Sequence, residues 1–227
     1  MRIYDNFIEA FSEIARDLKE MGVNHHTETM QDKDISEDPS FDTLELQNYI
    51  YTVITPRFSD LDPIQPWALA EWEERLSGIE GNAINPGIAW ELRRDIWEEF
   101  LRDGKFDYTY SERFSRHLQV ERIINRLRED SGSRQLYVAM WTQSDAVNLG
   151  KKRNPCSIGW LFQFRGGKLN MKYTMRSCDW ATHFQNDVYL AMKLQHHVAH
   201  SAGMEPGHFC QDMGSLHVYK KDVADVF

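Results

Sequence analysis

Apolar residues recur at helical spacing along several stretches of the chain, and each such stretch predicts a helix. The clearest is 111–129, where Phe114, Leu118 and Ile124 lie on one side and charged residues on the other. Helices are also predicted over 3–21, 43–55, 67–77, 91–102 and 184–202.

Shorter apolar runs in the second half of the chain predict β-strands. Residues 136–141 suit a buried strand, and 216–219 suit another. Residues 158–164 and 169–175 flank the Gly166-Gly167 turn, which predicts a β-hairpin. Helices followed by a strand-rich half indicate an α+β fold.

The chain shows no linker or internal repeat, so a single domain over 1–227 is expected, with a helical region over 1–66. Within that region, 22–42 is polar and predicts a loop or a weak strand. An aromatic content of 12% and a hydrophobic content of 41% suffice for a sizeable core.

Charge and cysteine usage narrow the function classes. A net charge of −9 disfavours nonspecific binding to a nucleic acid backbone, and no DNA binding is required. No run reaches the length of a membrane span, and 1–16 carries acidic residues that a signal peptide lacks. Three cysteines without a CxxC pair indicate a reduced, cytoplasmic protein rather than a disulfide framework or zinc site.

Cys156 is the candidate nucleophile. It follows a proline and the basic run 151–153, and it opens a predicted strand. Nearby cations lower the pKa of a thiol and so favour the reactive thiolate. The hairpin would return Arg176 to the vicinity of Cys156, whereas Cys178 and Cys210 lack such a setting and are interpreted as packing residues.

Several motifs occur in an order that indicates a known family. They are Pro155-Cys156, Gly167-Lys168-Leu169, Arg176-Ser177-Cys178-Asp179 and Gly214-Ser215-Leu216-His217-Val218-Tyr219. From about Trp67 to Tyr219 the chain resembles the thymidylate synthase and deoxycytidylate hydroxymethylase superfamily. The resemblance implies a mixed β-sheet packed with helices, a homodimer formed through the sheet, and 5,10-methylenetetrahydrofolate as cofactor.

The resemblance also implies roles for individual residues. Cys156 would add to C6 of a pyrimidine nucleotide, and Tyr110 would lie near it. Arg176 and Ser177 would bind the phosphate of the nucleotide, and Arg134 would reach the same phosphate from the partner subunit across the dimer interface. His217 and Tyr219 would bind the ribose. Trp97, Asp179 and His183 would lie at the folate, and Asp179 would also serve catalysis.

The sequence departs from the family pattern at several places. Gln135 replaces a second interfacial arginine, and His183 stands where the family has glycine. The arginine-rich N-terminal phosphate loop is not visible, and His25-His26-Thr27 lies about where it would be. Adjacent histidines on a helix face different ways, so no metal site is expected.

Glu71 matches the catalytic glutamate of the family through its spacing to Leu76-Ser77-Gly78. A carboxylate is needed there to order water and relay protons at the base. The alternative is that Glu71, Glu73 and Glu74 form one solvated helix face.

The residue that faces the pyrimidine edge lies eight positions after the Asp of the Arg-Ser-x-Asp motif, which gives Asp187; a slip of one position would give Asn186. A carboxyl group can accept a hydrogen bond from N4 of cytosine and, when protonated, donate one to N3. Asp187 therefore favours cytosine, unless it merely caps the following helix.

The implied activity is conversion of dCMP to 5-hydroxymethyl-dCMP, as in the phage-type deoxycytidylate hydroxymethylases that modify DNA precursors. Synthases carry a C-terminal tail that closes over the folate, whereas here eight residues follow Tyr219 in the sequence, which favours hydroxylation. The alternatives are a thymidylate synthase, a dUMP hydroxymethylase, or a catalytically silent nucleotide-binding or RNA-binding homologue.

Overall fold

The structure is a computed structural model that describes residues 2–30, 33–147 and 153–227. Its helices are Phe7–Met21 (α1), Trp67–Ile79 (α2), Arg94–Trp97 (α3), Tyr110–Ser115 (α4), Gln119–Glu129 (α5), Gln143–Val147 (α6), Phe184–Ser201 (α7) and Val223–Val226 (α8). Its strands are Arg2–Tyr4 (β1), Val23–His25 (β2), Thr29–Met30 (β3), Lys33–Asp34 (β4), Thr43–Val53 (β5), Tyr137–Ala139 (β6), Ser157–Arg165 (β7), Lys168–Asp179 (β8) and Glu205–Tyr219 (β9).

A mixed sheet runs in the order β1-β5-β9-β8-β7-β6, with β2 also paired to β5, while β3 and β4 form a separate pair. Strands β8 and β9 are parallel, and α7 supplies the crossover that a parallel pair requires. Their register sets Ser177 beside Ser215 and Asp179 beside His217. Helices packed with a mixed sheet confirm the predicted α+β fold.

Helices α1 and α7 cover one face of the sheet and build its aromatic core. Asn6 caps α1 by accepting a hydrogen bond from the Glu9 amide, and Phe7 then packs edge-on against Phe209 of β9. On α7, the buried Phe184 lies against the ring of Tyr51 in β5. Among the described residues, no helix has both the length and the apolar character needed to cross a membrane.

The prediction of a helix over 43–55 is wrong, and 1–66 is therefore not a helical region. Residues 43–53 form β5, the strand that joins β9 to β1 and β2. Tyr49, Tyr51 and Val53 are buried at alternate positions, which is the period of a strand. Pairing along both edges of β5 overrides the helical spacing of Leu46, Tyr49 and Ile50.

Two other helices are shorter than predicted. The stretch 111–129 divides into α4 and α5 because His117 and Leu118 adopt positive φ angles of 57° and 48°. The Gln119 side chain then donates to the Arg113 carbonyl at 2.9 Å across the break. The stretch 91–102 holds only α3 between two 3-10 turns. The hairpin over 158–175 and the helices over 67–77 and 184–202 are confirmed.

Gly78 lies inside α2 at a close crossing with α4, rather than ending the helix as its type suggests. A Cβ atom at this position would collide with the backbone of Ser111. Alanine normally stabilises a helix by about 1 kcal/mol relative to glycine. We expect Gly78→Ala instead to lower the free energy of unfolding by about 1–3 kcal/mol, because this collision must be relieved.

Urea unfolding measures this effect, with Gly132→Ala as the matched control. A Cβ at Gly132 would meet only the Asp130 side chain, at 3.4 Å, so this control should stay close to wild type. Equal stability of Gly78→Ala and the wild type would contradict the close crossing of α2 and α4.

Candidate active site

Cys156 lies at the start of β7, in a turn that Arg176 of β8 holds in place. The Arg176 guanidinium donates to the carbonyls of Asn154 and Pro155, both at 3.2 Å. Its Nη2 lies 3.7 Å from the Cys156 sulfur, and the Ser177 hydroxyl lies 3.8 Å from it. The predicted meeting of thiol and arginine is confirmed, and both donors suit a thiolate.

Hydroxyl groups form a chain directly behind the thiol. The Tyr110 hydroxyl lies 2.9 Å from Ser157 Oγ, which lies 2.6 Å from the Tyr173 hydroxyl. Burial raises the pKa of both tyrosines, and it raises the pKa of Tyr108 to about 12. The phenols therefore stay protonated at neutral pH, and the chain can orient or pass a proton without carrying charge.

A polar pocket of about 230 Å³ adjoins the thiol on the β9 side. Ser215, His217 and Tyr219 line it from alternate positions of β9, so they share one face of the strand. Ser215 and His217 Nδ1 lie 3.2 Å apart, and burial lowers the pKa of His217. Arg176 and Ser177 line the same pocket, which joins the predicted phosphate and ribose contacts.

The described part of the N-terminal segment closes this pocket with two threonines, a histidine and a methionine, and none of these lining residues is an arginine. The lining residues from the segment are His25, Thr27, Thr29 and Met30. His25-His26-Thr27, which is expected near the place of the family's N-terminal phosphate loop, therefore lies beside Arg176 and Ser177. His26 itself points to Asp42, with 2.7 Å between its Nδ1 and the carboxylate.

A central cleft of about 360 Å³ contains the thiol and continues from the polar pocket. Trp97, Asp179 and His183 line it together with Cys156, as predicted for a cofactor site. The His183 ring lies 6.1 Å from the Trp97 ring, and burial lowers the pKa of His183. Asp179 accepts hydrogen bonds from the Ala181 and Thr182 amides, at 3.0 and 3.3 Å, and so shapes the turn before α7.

An aromatic cavity of about 100 Å³ adjoins the cleft and shares Trp97 and Arg153 with it. Glu71 lines this cavity from α2 and is partly buried, so it does not lie on a solvated helix face. Glu74 on the same helix does not lie on a solvated face either, because it accepts a hydrogen bond from the Ala89 amide at 2.5 Å.

Asp187 and Asn186 occupy different surroundings on the first turn of α7. Asn186 is buried and accepts a hydrogen bond from the Ile64 amide at 2.8 Å, so it anchors the loop before α2. Asp187 is partly exposed, and its Oδ2 lies 3.8 Å from the sulfur of Cys178. Burial raises the pKa of Asp187 to about 7, against the opposing effect of Arg75.

The interpretation of Cys178 as a packing residue is confirmed by its burial, which raises its pKa. Arg134 is exposed just before the edge strand β6 and does not line the cleft. Lys151 and Lys152, which contribute to the predicted basic run, lie outside the described residues. Arg153 is buried, and its guanidinium lies 4.6 Å from the Trp97 ring centre.

Two residues of the site were not predicted. Ser157 follows the nucleophile directly and joins the two tyrosines, a role that only the fold reveals. Arg75 lies four residues after Glu71 and bonds to it, with Nη2 and Oε1 separated by 2.5 Å. The spacing signals a helical ion pair, but nothing in it signals that the arginine is buried.

Comparison with known proteins agrees with this geometry. Residues 88–227 match the family model described as thymidylate synthase. The chain belongs to this family. The match begins after α2, so it includes the thiol, the arginine motif and the β9 residues but not Glu71.

Relatives in the thymidylate synthase family include archaeal and phage proteins. A "Putative thymidylate synthase" of Methanothermobacter marburgensis is 37% identical over 60% of this chain and 64% of its own length. One of Methanopyrus kandleri is 30% identical over 57% of this chain and 65% of its own length. The "Deoxyuridylate hydroxymethyltransferase" of Pseudomonas phage M6 is 30% identical over 56% of this chain and 38% of its own length. The chain thus spans about two thirds of the archaeal relatives and less of the phage enzyme.

Proposed function

We propose that the protein transfers a one-carbon unit to C5 of dCMP and forms 5-hydroxymethyl-dCMP. The observation that carries the choice of cytosine is Asp187, a partly buried carboxyl group whose pKa is about 7. Near neutral pH such a group can donate to N3 of cytosine from its protonated oxygen and accept from N4 with the other. A uracil ring presents the reverse pattern at these two positions.

The surroundings of Cys156 support a covalent mechanism. The thiolate adds to C6 of the pyrimidine, and the electron pair of the C5–C6 bond makes C5 nucleophilic. Arg176 and Ser177 stabilise the thiolate while the nucleotide is bound, and Arg176 also faces the pocket proposed for the phosphate. Tyr110 is held beside the nucleophile by the hydrogen bond of its hydroxyl to Ser157, the residue that follows Cys156.

A folate cofactor would lie in the cleft and extend into the aromatic cavity that adjoins it. Trp97, Trp67 and Phe106 provide flat apolar walls beside the cleft, and His183 lies between the two tryptophans, at 5.8 Å from Trp67 and 6.1 Å from Trp97. When bound, 5,10-methylenetetrahydrofolate would supply one carbon at the oxidation level of formaldehyde. Glu71, at the edge of the same cavity, would order the water whose oxygen becomes the hydroxyl group.

A second candidate is the same transfer to dUMP. It is favoured by the phage relative, whose name states deoxyuridylate hydroxymethylation. Methyl formation on dUMP is the third candidate, which the names of the archaeal relatives favour. A silent nucleotide-binding homologue is disfavoured because the thiol and its donors are arranged for chemistry.

We also propose that the protein acts as a homodimer that packs through the sheet, with Arg134 reaching the phosphate of the partner subunit. Half-exposed Lys172, Thr174 and Asp212 alternate with buried residues along β8 and β9, so one sheet face is open in a single chain. Light scattering of the purified protein would give a dimer mass, and Arg134→Ala should weaken nucleotide binding without changing that mass.

A product assay tests the proposed function. The protein would be incubated with 5,10-methylenetetrahydrofolate and either dCMP or dUMP, and the masses of the nucleotide products would be measured by mass spectrometry. We expect dCMP to gain CH2O and dUMP to remain unchanged, with Cys156→Ala as the inactive control. Gain of CH2O on dUMP would establish the second candidate, and gain of CH2 with formation of dihydrofolate would establish a synthase.

A further inference from the structure

Arg75 is a buried cation that has no role in the reaction proposed above. Its side chain is 4% exposed, and its Nε has no hydrogen-bond partner among the described residues. The guanidinium lies 3.8 Å from the centre of the Tyr110 ring, which fixes its plane by a cation–π contact. A buried charge of this kind persists only where nearby groups compensate it.

Two carboxyl groups compete for this one cation. Glu71 is bonded to it directly, with 2.5 Å between Nη2 and Oε1. Asp187 is close enough for Arg75 to lower its pKa, yet within the described part of the chain Asp187 forms no ion pair with any residue. Burial alone would lower the pKa of Arg75, whereas the Glu71 carboxylate raises it, so the guanidinium stays charged.

We propose that Arg75 is a positioning residue: its bond to Glu71 engages the buried cation, which leaves Asp187 without an ion-pair partner among the described residues and therefore able to keep a proton. One cation then balances one carboxylate, and the second carboxyl group remains neutral. The value of that proton for reading cytosine rests on the proposed function, but the division of charge among Arg75, Glu71 and Asp187 does not.

The other groups around Asp187 reinforce this division. The titratable and charged groups that face it are Arg75 and Glu71 from α2, Tyr110 from α4, and Tyr173, Cys178 and Asp179 from β8. Of these, Arg75 is the one that favours the charged carboxylate through its own charge, while Glu71 and Asp179 oppose it. The proton on Asp187 should therefore respond to Arg75 and Glu71 in opposite directions.

Two variants test this with one readout that needs no ligand. The side-chain carboxyl of Asp187 would be titrated by carbon-13 NMR in the intact protein, in the wild type, Arg75→Met and Glu71→Gln. Loss of the cation should raise the titration midpoint by about one pH unit or more, the scale of a nearby opposite charge. Loss of the competing anion should lower it, because Arg75 then serves Asp187 alone.

Arg75→Lys is the conservative control, since it keeps the charge and should hold the midpoint near the wild-type value. If Arg75→Met does not fold, the lowered midpoint of Glu71→Gln carries the test by itself. A purely structural role for Arg75 predicts unchanged midpoints in every folded variant, and that result would overturn the proposal.

Binding of dCMP across pH, measured by calorimetry without folate, separates this inference from the proposed function. If the protein binds dCMP, binding should weaken as pH rises past the NMR midpoint, and the variants should shift both together. If opposite shifts appear by NMR but dCMP does not bind at any pH, the cytosine assignment fails and the charge division stands. If dCMP binds and neither variant shifts the midpoint, only the inference about Arg75 fails.

Discussion

Replacing Cys156 by serine should lower kcat by at least about 10⁴-fold, the scale on which removal of a covalent nucleophile acts. A serine hydroxyl stays protonated at neutral pH, and it is a far weaker nucleophile than the thiolate that Arg176 and Ser177 favour at this position. Arg176 and Ser177 would still surround the site. The dissociation constant for dCMP should therefore stay close to that of the wild type.

Release of tritium from C5 of labelled dCMP measures the chemical step, and the intact mass of the protein reports a covalent nucleotide adduct. Both signals should be lost in Cys156→Ser and kept in Cys210→Ser, since Cys210 lies on β9 away from the cleft. If Cys156→Ser turned over dCMP at the wild-type rate, Cys156 would not be the nucleophile. Cys178 would be a poor substitute because burial raises its pKa.

The parts of the fold that local pattern could predict are those whose partners are close in sequence. Strands β7 and β8 are joined by a tight Gly166-Gly167 turn, and their apolar runs indicate a hairpin without further context. Because that hairpin is local, the meeting of Cys156 and Arg176 also follows from spacing alone.

Strand β5 could not be predicted in the same way, because its partners are distant. It pairs with β9, with Thr43 opposite Tyr219 and Val53 opposite Phe209. The apolar residues of β5 fall at both helical and alternating positions, so its structure is decided by this pairing rather than by its own pattern. The break between α4 and α5 has a similar origin, since the Gln119 side chain donates to the carbonyl of Ala139 in β6.

Within the candidate site, too, some charged residues can be assigned from the sequence and others only from the fold. The assignment of Asp187 to the base is a prediction from its distance to a recognised motif, and the structure gives Asp187 and Asn186 different surroundings. The role of Arg75 could not be predicted, because a glutamate and an arginine four residues apart usually lie on a solvated helix surface. Only the packing of Tyr110 over the guanidinium shows that this pair is buried.

Replacing Asp187 by asparagine should reverse the preference between cytosine and uracil. With its nitrogen held toward position 4 of the base, the amide donates to O4 of uracil and accepts from N3–H, whereas in that same orientation its N–H would meet the N4 amino donor of cytosine. Each unsatisfied buried hydrogen bond costs about 1–3 kcal/mol, so the ratio of kcat/KM for dCMP over dUMP should fall by about 10²–10⁴-fold. Parallel assays of C5 tritium release with both nucleotides measure that ratio.

A matched control is Gln185→Ala, which removes a neighbouring polar side chain that bonds the Asp62 amide and not the proposed base site. This control should leave the ratio unchanged. An unchanged ratio in Asp187→Asn would instead place the base-reading residue elsewhere, and the cytosine assignment would lose the observation that carries it.

The same substitution has a consequence for stability that does not depend on any substrate. The folded state raises the pKa of Asp187 from 3.8 to about 7. Between these two pH values the native protein therefore holds a proton that the unfolded chain has lost. Its contribution is fully present below the unfolded pKa and is lost as pH rises to about 7. Asp187→Asn should therefore be more stable to urea than the wild type at pH 8, by at most about 4 kcal/mol, and the difference should shrink toward zero near pH 4. A gain that is equal at both pH values would mean that the amide packs better and that no proton is held at this position.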